Sequence, residues 1–302
     1  MKTKRIIITA GDPLGIGPQI TVKALKKIKA EGARFIVLGE AQSLQKYGWN
    51  NSLGTLKEIK SSYKKPSKPC ASEYGGDISF KALKTAISMM LKGEGDALVT
   101  APISKEAWAK AGIKFTGHTE VLRRYAKKDG ALMMFTDGKI NCALVTEHYA
   151  IKDLSAQITK ERIIKSVKMF AGVLGKKAKI GISALNPHAG DGGKLGFEEI
   201  RTIKPAIKKL AADGYKVSGP WPCDALWQKH IKGEFDGIVL MYHDVALLGL
   251  KLAAKNTPVH ITAGLKFLRV SPVHGTAFDI AAGNDADSSG MEAAIRYAVK
   301  KI

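Results

Sequence analysis

Short runs rich in isoleucine and valine recur along this chain, each followed by residues whose apolar members repeat at helical spacing. That alternation leaves few folds open. RIIITA (5–10), RFIVLG (34–39), DALVTAP (96–102), NCALVT (141–146), KIGISAL (179–185) and FDGIVLMYHD (235–244) are brief and apolar throughout, as strands covered on both faces are. A helix is expected after GDPLGIGPQ, through Ala24 and Leu25, with Pro18 in its first turn, where a missing N–H costs nothing. Further helices are expected over 81–93, over ITKERIIKSVKMFAGVL with Thr159 as N-cap, over 198–214 with a kink at Pro205, and over SSGMEAAIRYAVKKI. Strands alternating with helices give an α/β fold with mostly parallel sheets, and 302 residues suffice for one large domain or two ordinary ones.

Composition removes several function classes. No stretch approaches the roughly 18 apolar residues of a membrane span. The opening MKTKRIIITAGDP has too short an apolar run for a secretory signal, so a cytoplasmic protein is expected. Cys70, Cys142 and Cys223 are odd in number and widely spaced, which argues against a disulfide framework or a thiolate zinc site. A net charge of +21 suits an anionic partner, but the lysines are scattered and no zinc-finger or aromatic RNA-binding pattern accompanies them. A solvated basic surface that attracts a small anionic substrate is the expectation, with no nucleic acid and no membrane as partner.

Ligands of α/β proteins gather at the carboxyl ends of strands, and TAP, TEH, LNPHAG and YHD all fall there. GDPLGIGPQ has Gly15 and Gly17 in G-x-G order, yet Ile20 stands where the third glycine of a dinucleotide fingerprint belongs, so a tight turn opening a helix is the reading. His148, His188 and His243 follow three different strands. Neutral imidazoles bind divalent metals and leave coordination positions open, although any one of them alone reads as a hydrogen-bonded structural residue. GHTE (117–120) opens a helical run, VLRRYAKK. Its N–H groups with His118 and Thr119 can receive an anion, or Thr119 can simply cap the helix. Lys251 and Arg269 are further candidates for carboxylate or phosphate contacts.

GDPLGIGP, ALVTAPISK, FTGHTE, LNPHAGDGG, GPWPCD, YHD and HGTAFDIA stand in one order over nearly the whole chain, and in this the sequence resembles the 4-hydroxythreonine-4-phosphate dehydrogenases. The resemblance implies NAD- or NADP-linked oxidation of 4-phosphooxy-L-threonine, followed by decarboxylation to 3-amino-2-oxopropyl phosphate in pyridoxal phosphate biosynthesis. It implies metal ligation by His148, His188 and His243, and substrate contacts from His118, Thr119, Lys251 and Arg269, with His260 at the position of a substrate-binding Asn. One divalent ion per subunit is implied, and zinc, cobalt, magnesium or manganese would suit. It implies a homodimer with its active site at the interface, so ligands need not all come from one chain. It also implies two α/β domains flanking a cleft, as in isocitrate and isopropylmalate dehydrogenases. The expected domains are 1–112 with 272–302, and 113–271. VHGTAFDIAAG is similar to the cofactor loop of those relatives, which makes His274 and Asp279 the implied cofactor contacts. Lys105 in TAPISK and Asp224 in WPCD are candidates for taking the alcohol proton.

The sequence departs from that family at four places. YHDVALLGLK replaces a usual YHDQG, so Val245 and Ala246 stand for a polar residue and a glycine. His260 replaces the Asn, Lys266 a typical Pro, and Val273 the acid usual before HGTA. These changes leave two alternatives: a sister dehydrogenase of another anionic alcohol, such as phosphorylated threonate or erythronate or a cyclic dihydrodiol, and a phosphate-ligand binding protein without turnover.

Overall fold

The computed structural model describes residues 3–28, 32–125, 130–283 and 285–302. The chain divides into two compact units, one built from Met1–Ala131 and Val259–Ile302, the other from Leu132–Pro258. The expected boundaries at 112/113 and 271/272 shift accordingly. The GHTE helix packs on the first unit, and the strand holding Arg269 is paired inside that unit's sheet.

The first unit runs β1 (Lys4–Thr9), α1 (Gly17–Lys27), β2 (Ala33–Gly39), α2 (Ala41–Lys46), β3 (Thr55–Glu58), α3 (Glu73–Leu91), β4 (Ala97–Thr100), α4 (Lys105–Lys110) and α5 (His118–Tyr125). The second contains β5 (Leu132–Thr136), β6 (Asn141–Leu144), α6 (Leu154–Gln157), α7 (Lys160–Leu174), β7 (Ile180–Ser183), α8 (Lys204–Ala212), β8 (Val217–Trp221), α9 (Cys223–Ile231), β9 (Gly237–Leu240) and α10 (His243–Ala253). The chain then returns to the first with β10 (Val259–Ala263), β11 (Leu268–Pro272) and α11 (Ser289–Lys301).

Within the first unit the strand order is β3-β2-β1-β4-β11-β10, parallel except for β10 against β11. Ile6, Ile7 and Ile8 are fully buried, as residues of a strand with helices on both sides must be. Ile7 lies level with Leu98, and Leu98 with Arg269. One step further, Thr9 is level with Thr100, and on β10 His260 is level with Ser271. Side chains at matching register share a face. The face that carries the apolar core of Ile7, Leu98, Ile78, Leu83 and Trp108 therefore turns polar toward the strands' carboxyl ends.

In the second unit the order is β5-β6-β9-β7-β8, with β5 antiparallel to β6 and the rest parallel. Thr159 caps α7 as expected, its hydroxyl accepting from the Arg162 N–H at 3.2 Å. At Gly237 a Cβ would come within 2.6 Å of Leu174 and Phe170, so glycine here lets α7 lie directly on β9.

Three expectations about local structure change. The helix expected at 81–93 begins eight residues earlier, at Glu73 with Ser72 as its cap. Gly75 and Gly76 read as poor helix formers, but a Cβ on Gly75 would sit 2.7 Å from an Asp12 carboxylate oxygen, so glycine is required there for contact. Pro205 does more than kink its helix: residues Glu199–Ile203 form a wide π turn, and α8 starts with the proline in its first turn. The strand ending in YHD passes into a helix rather than a loop, because Tyr242 is extended and Asp244 lies in the first turn of α10, where a negative charge is favoured. The helix expected over VLRRYAKK is seen to Tyr125; its last residues lie outside the described ones.

Asp12, fully buried after β1, accepts from the Leu14 N–H at 3.0 Å. Burial pushes its carboxyl up to about 6, with the Leu14 bond pulling the other way. Since the folded form holds its proton more tightly than the unfolded chain, this acid's contribution is most favourable below about pH 4 and is lost as pH rises through 6. Asp12→Asn is expected to be more stable than the parent at pH 7, by up to about 3 kcal/mol, and equal to it at pH 3. Urea midpoints at the two pH values decide this.

Candidate functional site

The polar rim of the first unit is organised by Arg269 on β11, which is 2% exposed. Its Nη1 donates to His260 Nδ1 and to Thr262 Oγ1, each at 3.0 Å, and its Nη2 donates to Thr100 Oγ1 at 2.5 Å. All these acceptors are neutral. Arg269 Nε has no hydrogen-bond partner, and no salt bridge from a carboxylate reaches the guanidinium among the described residues. Burial pushes Arg269 down to about 9. Because an arginine only donates, His260 accepts at Nδ1 and in its neutral form carries its proton on Nε2.

His118, in the first turn of α5, turns toward the same rim. Its ring lies 6.0 Å from that of Trp108, and its Nε2 is sealed from solvent without a partner. Desolvation first, then the charge of Arg269 and the proximity of His260, hold this imidazole well below its usual pKa, so it is neutral at pH 7. Thr119 does not cap α5. The helix start is closed by Glu120, whose carboxylate accepts from the Thr116 N–H at 2.7 Å and its hydroxyl at 2.8 Å. Lys105, at the start of α4, runs beside Gly117, its Cε 3.6 Å from where a Cβ there would stand. His118, Arg269 and His260 are thus brought together, with Lys105 beside the GHTE turn. Thr100, Thr262 and Ser271 join them without having been singled out from sequence.

On the first unit the LGIG turn meets the HGTA loop. The Ile16 N–H donates to the Thr276 carbonyl at 2.9 Å, and a Cβ on Gly15 would stand 2.8 Å from that oxygen. His274 and Asp279 are exposed on this loop, His274 Nδ1 lying 3.2 Å from the Gly275 carbonyl. Glu40, which follows β2 where a ribose-binding acid would stand, is committed elsewhere. Its carboxylate accepts from Lys65 Nζ at 3.0 and 2.9 Å and from the Tyr74 hydroxyl.

In the second unit His148 and His243 lie together, ring centroids 5.1 Å apart. His243 Nδ1 is 2.8 Å from Asp244 Oδ1, an arrangement that orients the ring and turns Nε2 away from that contact. His188 sits on a separate exposed loop with left-handed backbone, φ 53° and ψ 28°. Among the described residues of one chain, no three His, Cys, Asp or Glu side chains are placed to hold a metal ion together. A single chain therefore brings together two imidazoles, donors of a kind that divalent cations take, with the third expected ligand apart. Lys251 is exposed on α10, and Asp224 is exposed in the first turn of α9. Of the divergent residues, Val245 accepts from Trp227 Nε1 at 3.0 Å through its backbone carbonyl, and Ala246 is fully buried.

A buried neutral histidine must be charged by the unfolded chain as pH falls, so the stability tied to His118 is present above about pH 6.5 and lost below it. His118→Gln is expected to lose less stability than the parent between pH 7 and pH 5, by about 1–2 kcal/mol in thermal or urea unfolding.

The family model of the pyridoxal phosphate biosynthetic protein PdxA matches residues 17–298. A 4-hydroxythreonine-4-phosphate dehydrogenase of Geobacter metallireducens is 33% identical, over 98% of this chain and 95% of its own. A D-threonate 4-phosphate dehydrogenase of Salmonella typhimurium is 36% identical, over 99% of each. The crystal structure of 4-hydroxythreonine-4-phosphate dehydrogenase from Klebsiella pneumoniae superposes with a TM-score of 0.84 at 32% identity, covering 98% of this chain and 99% of that one.

Proposed function

We propose, since this chain belongs to the family of the pyridoxal phosphate biosynthetic protein PdxA and is an oxidoreductase of the dehydrogenase kind, that it oxidises the secondary alcohol of a four-carbon acid carrying a 4-phosphate. The first substrate is 4-hydroxythreonine 4-phosphate, with carbon dioxide lost after oxidation and with a place in pyridoxal phosphate biosynthesis. The observation that carries this reading is Arg269, a buried cation bonded only to neutral groups. Such a charge is costly unless an anion completes it, and a carboxylate or phosphate is the natural complement.

The roles follow from that. Arg269 receives the anionic group, and His260 is held by it with Nε2–H as a second donor. His118 is a neutral imidazole at the same rim. Thr119 and Lys251 are proposed substrate contacts, Lys105 and Asp224 proposed proton acceptors, and His274 and Asp279 proposed contacts to NAD or NADP, which accepts the hydride when bound. His148 and His243 would hold a divalent cation, with His188 as a third ligand in a homodimer. When bound, such an ion supplies charge stabilisation at the alcohol and ketone oxygens. A cytoplasmic location fits this reading.

A second substrate, D-threonate 4-phosphate, is supported by the likeness to the D-threonate 4-phosphate dehydrogenase of Salmonella typhimurium, 36% identical over 99% of each chain.

Purified protein with a divalent metal and NAD or NADP is expected to form reduced cofactor with one of these two acids. Turnover only of a phosphorylated erythronate or a cyclic dihydrodiol would replace the substrate. Binding of phosphorylated acids with no turnover would make the chain a binding protein. His243→Ala is expected to lower the affinity for Zn²⁺ and to reduce kcat/KM about 100-fold, a loss typical for removing a group that stabilises charge in the reaction. Unchanged Zn²⁺ binding would contradict the metal site.

A further inference from the structure

We infer that Glu199 is the positioning residue of the loop that presents His188. This inference rests on the proposed role of His188 as a ligand. Residues His188 to Gly192 all adopt left-handed backbone, with φ of 53°, 55°, 80°, 42° and 67°. Residues with a Cβ enter that region singly and reluctantly, yet His188, Ala189 and Asp191 do so within one run. A run of this kind persists only where its surroundings over-determine it.

Glu199 supplies that determination. It is 1% exposed, and one carboxylate oxygen accepts from the backbone N–H of both Leu185 and Asn186 at 2.8 Å. The other accepts from the Asn186 side-chain amide at 3.0 Å and would meet a Cβ on Gly190 at 2.6 Å. The neighbouring Glu198 takes the same Asn186 amide at 2.8 Å, and the Leu195 N–H closes the turn on the Gly190 carbonyl at 3.1 Å. The acceptors of this buried acid are thus spent on the two residues that enter the loop.

The sequence places Glu199 there through Pro205. In a regular helix the proline ring would clash with the Arg201 carbonyl four residues back. The chain instead widens into the π turn, where the Lys204 N–H bonds the Glu199 carbonyl five residues back. Such turns concentrate at functional sites. Pro205 therefore sets the turn, the turn brings Glu199 beneath the loop, and Glu199 holds His188 in its left-handed presentation.

Glu199→Gln exchanges an acceptor for a donor facing two backbone N–H groups. Hydrogen exchange at residues 186–195 is expected to quicken about tenfold while α7 stays unchanged, as local opening of one segment requires. Zn²⁺ affinity, measured by calorimetry on the full-length protein, is expected to fall at least about tenfold. Adding Ala189→Gly and Asp191→Gly is expected to recover most of both losses, since glycine adopts this backbone freely. Rescue of that kind would not follow from a general loss of core stability. Should Glu199→Gln not fold, Pro205→Ala withdraws the same carboxylate by letting the π turn relax, and the same loosening is expected. Unchanged exchange would overturn the inference, as would faster exchange with Zn²⁺ bound as tightly as by the parent. If the parent itself binds no Zn²⁺, the ligand role of His188 fails, and faster exchange with glycine rescue still upholds Glu199 as the residue that sets the loop.

Discussion

A guanidinium taken out of water must be met by acceptors on every side, and much of the first unit's architecture answers that demand at Arg269. Thr100 comes from β4, Thr262 and His260 from β10, and none of them carries a negative charge. Neutral acceptors satisfy hydrogens but leave the charge itself uncompensated in a low-dielectric surrounding. Desolvation first, and then the Arg269 charge, holds His118 neutral, and burial pulls Arg269 below its own usual range. In the proposed function, a negatively charged group bound there would offset these penalties together.

Strands and helices of this fold were legible because their apolar periodicity is local. β4, β6, β7 and β9 lie within runs marked in the sequence, and β1 and β2 each begin one residue before theirs. The polar rim was only half legible. His118 and Arg269 were reachable through motifs, but Thr100 stands inside TAP without a side chain that marks it as a partner of Arg269, and Thr262 was not singled out. They meet Arg269 only because β4, β11 and β10 are adjacent in the sheet. Gly75 and Gly76 concealed the start of α3, since their purpose is a contact with partners more than 30 residues away. The domain boundary was displaced for a related reason: β11, which pairs with β4, was not recognised as a strand.

The departures from the family pattern prove to be of two kinds. At the change to Val245 the contact with Trp227 is made by the backbone carbonyl, which any residue supplies, and the change to Ala246 falls at a buried position. His260 belongs to the site, where it accepts from Arg269 and fixes its own tautomer. The three histidines found at strand ends show the limit of that rule. Two lie together with their rings tilted 40° to one another, while the third rides a loop whose entry is held by a buried acid eleven residues further on.

The most direct test of the anion-seeking Arg269 is paired binding and stability data for the parent and Arg269→Met, with the two phosphorylated four-carbon acids as ligands. Without ligand, Arg269→Met is expected to be as stable as the parent or more stable, by about 1–4 kcal/mol, because a buried cation has been replaced by an apolar chain of similar length. With ligand, only the parent should gain thermal stability. A destabilised Arg269→Met that still gains stability from the phosphorylated acids would contradict the central role given to this guanidinium.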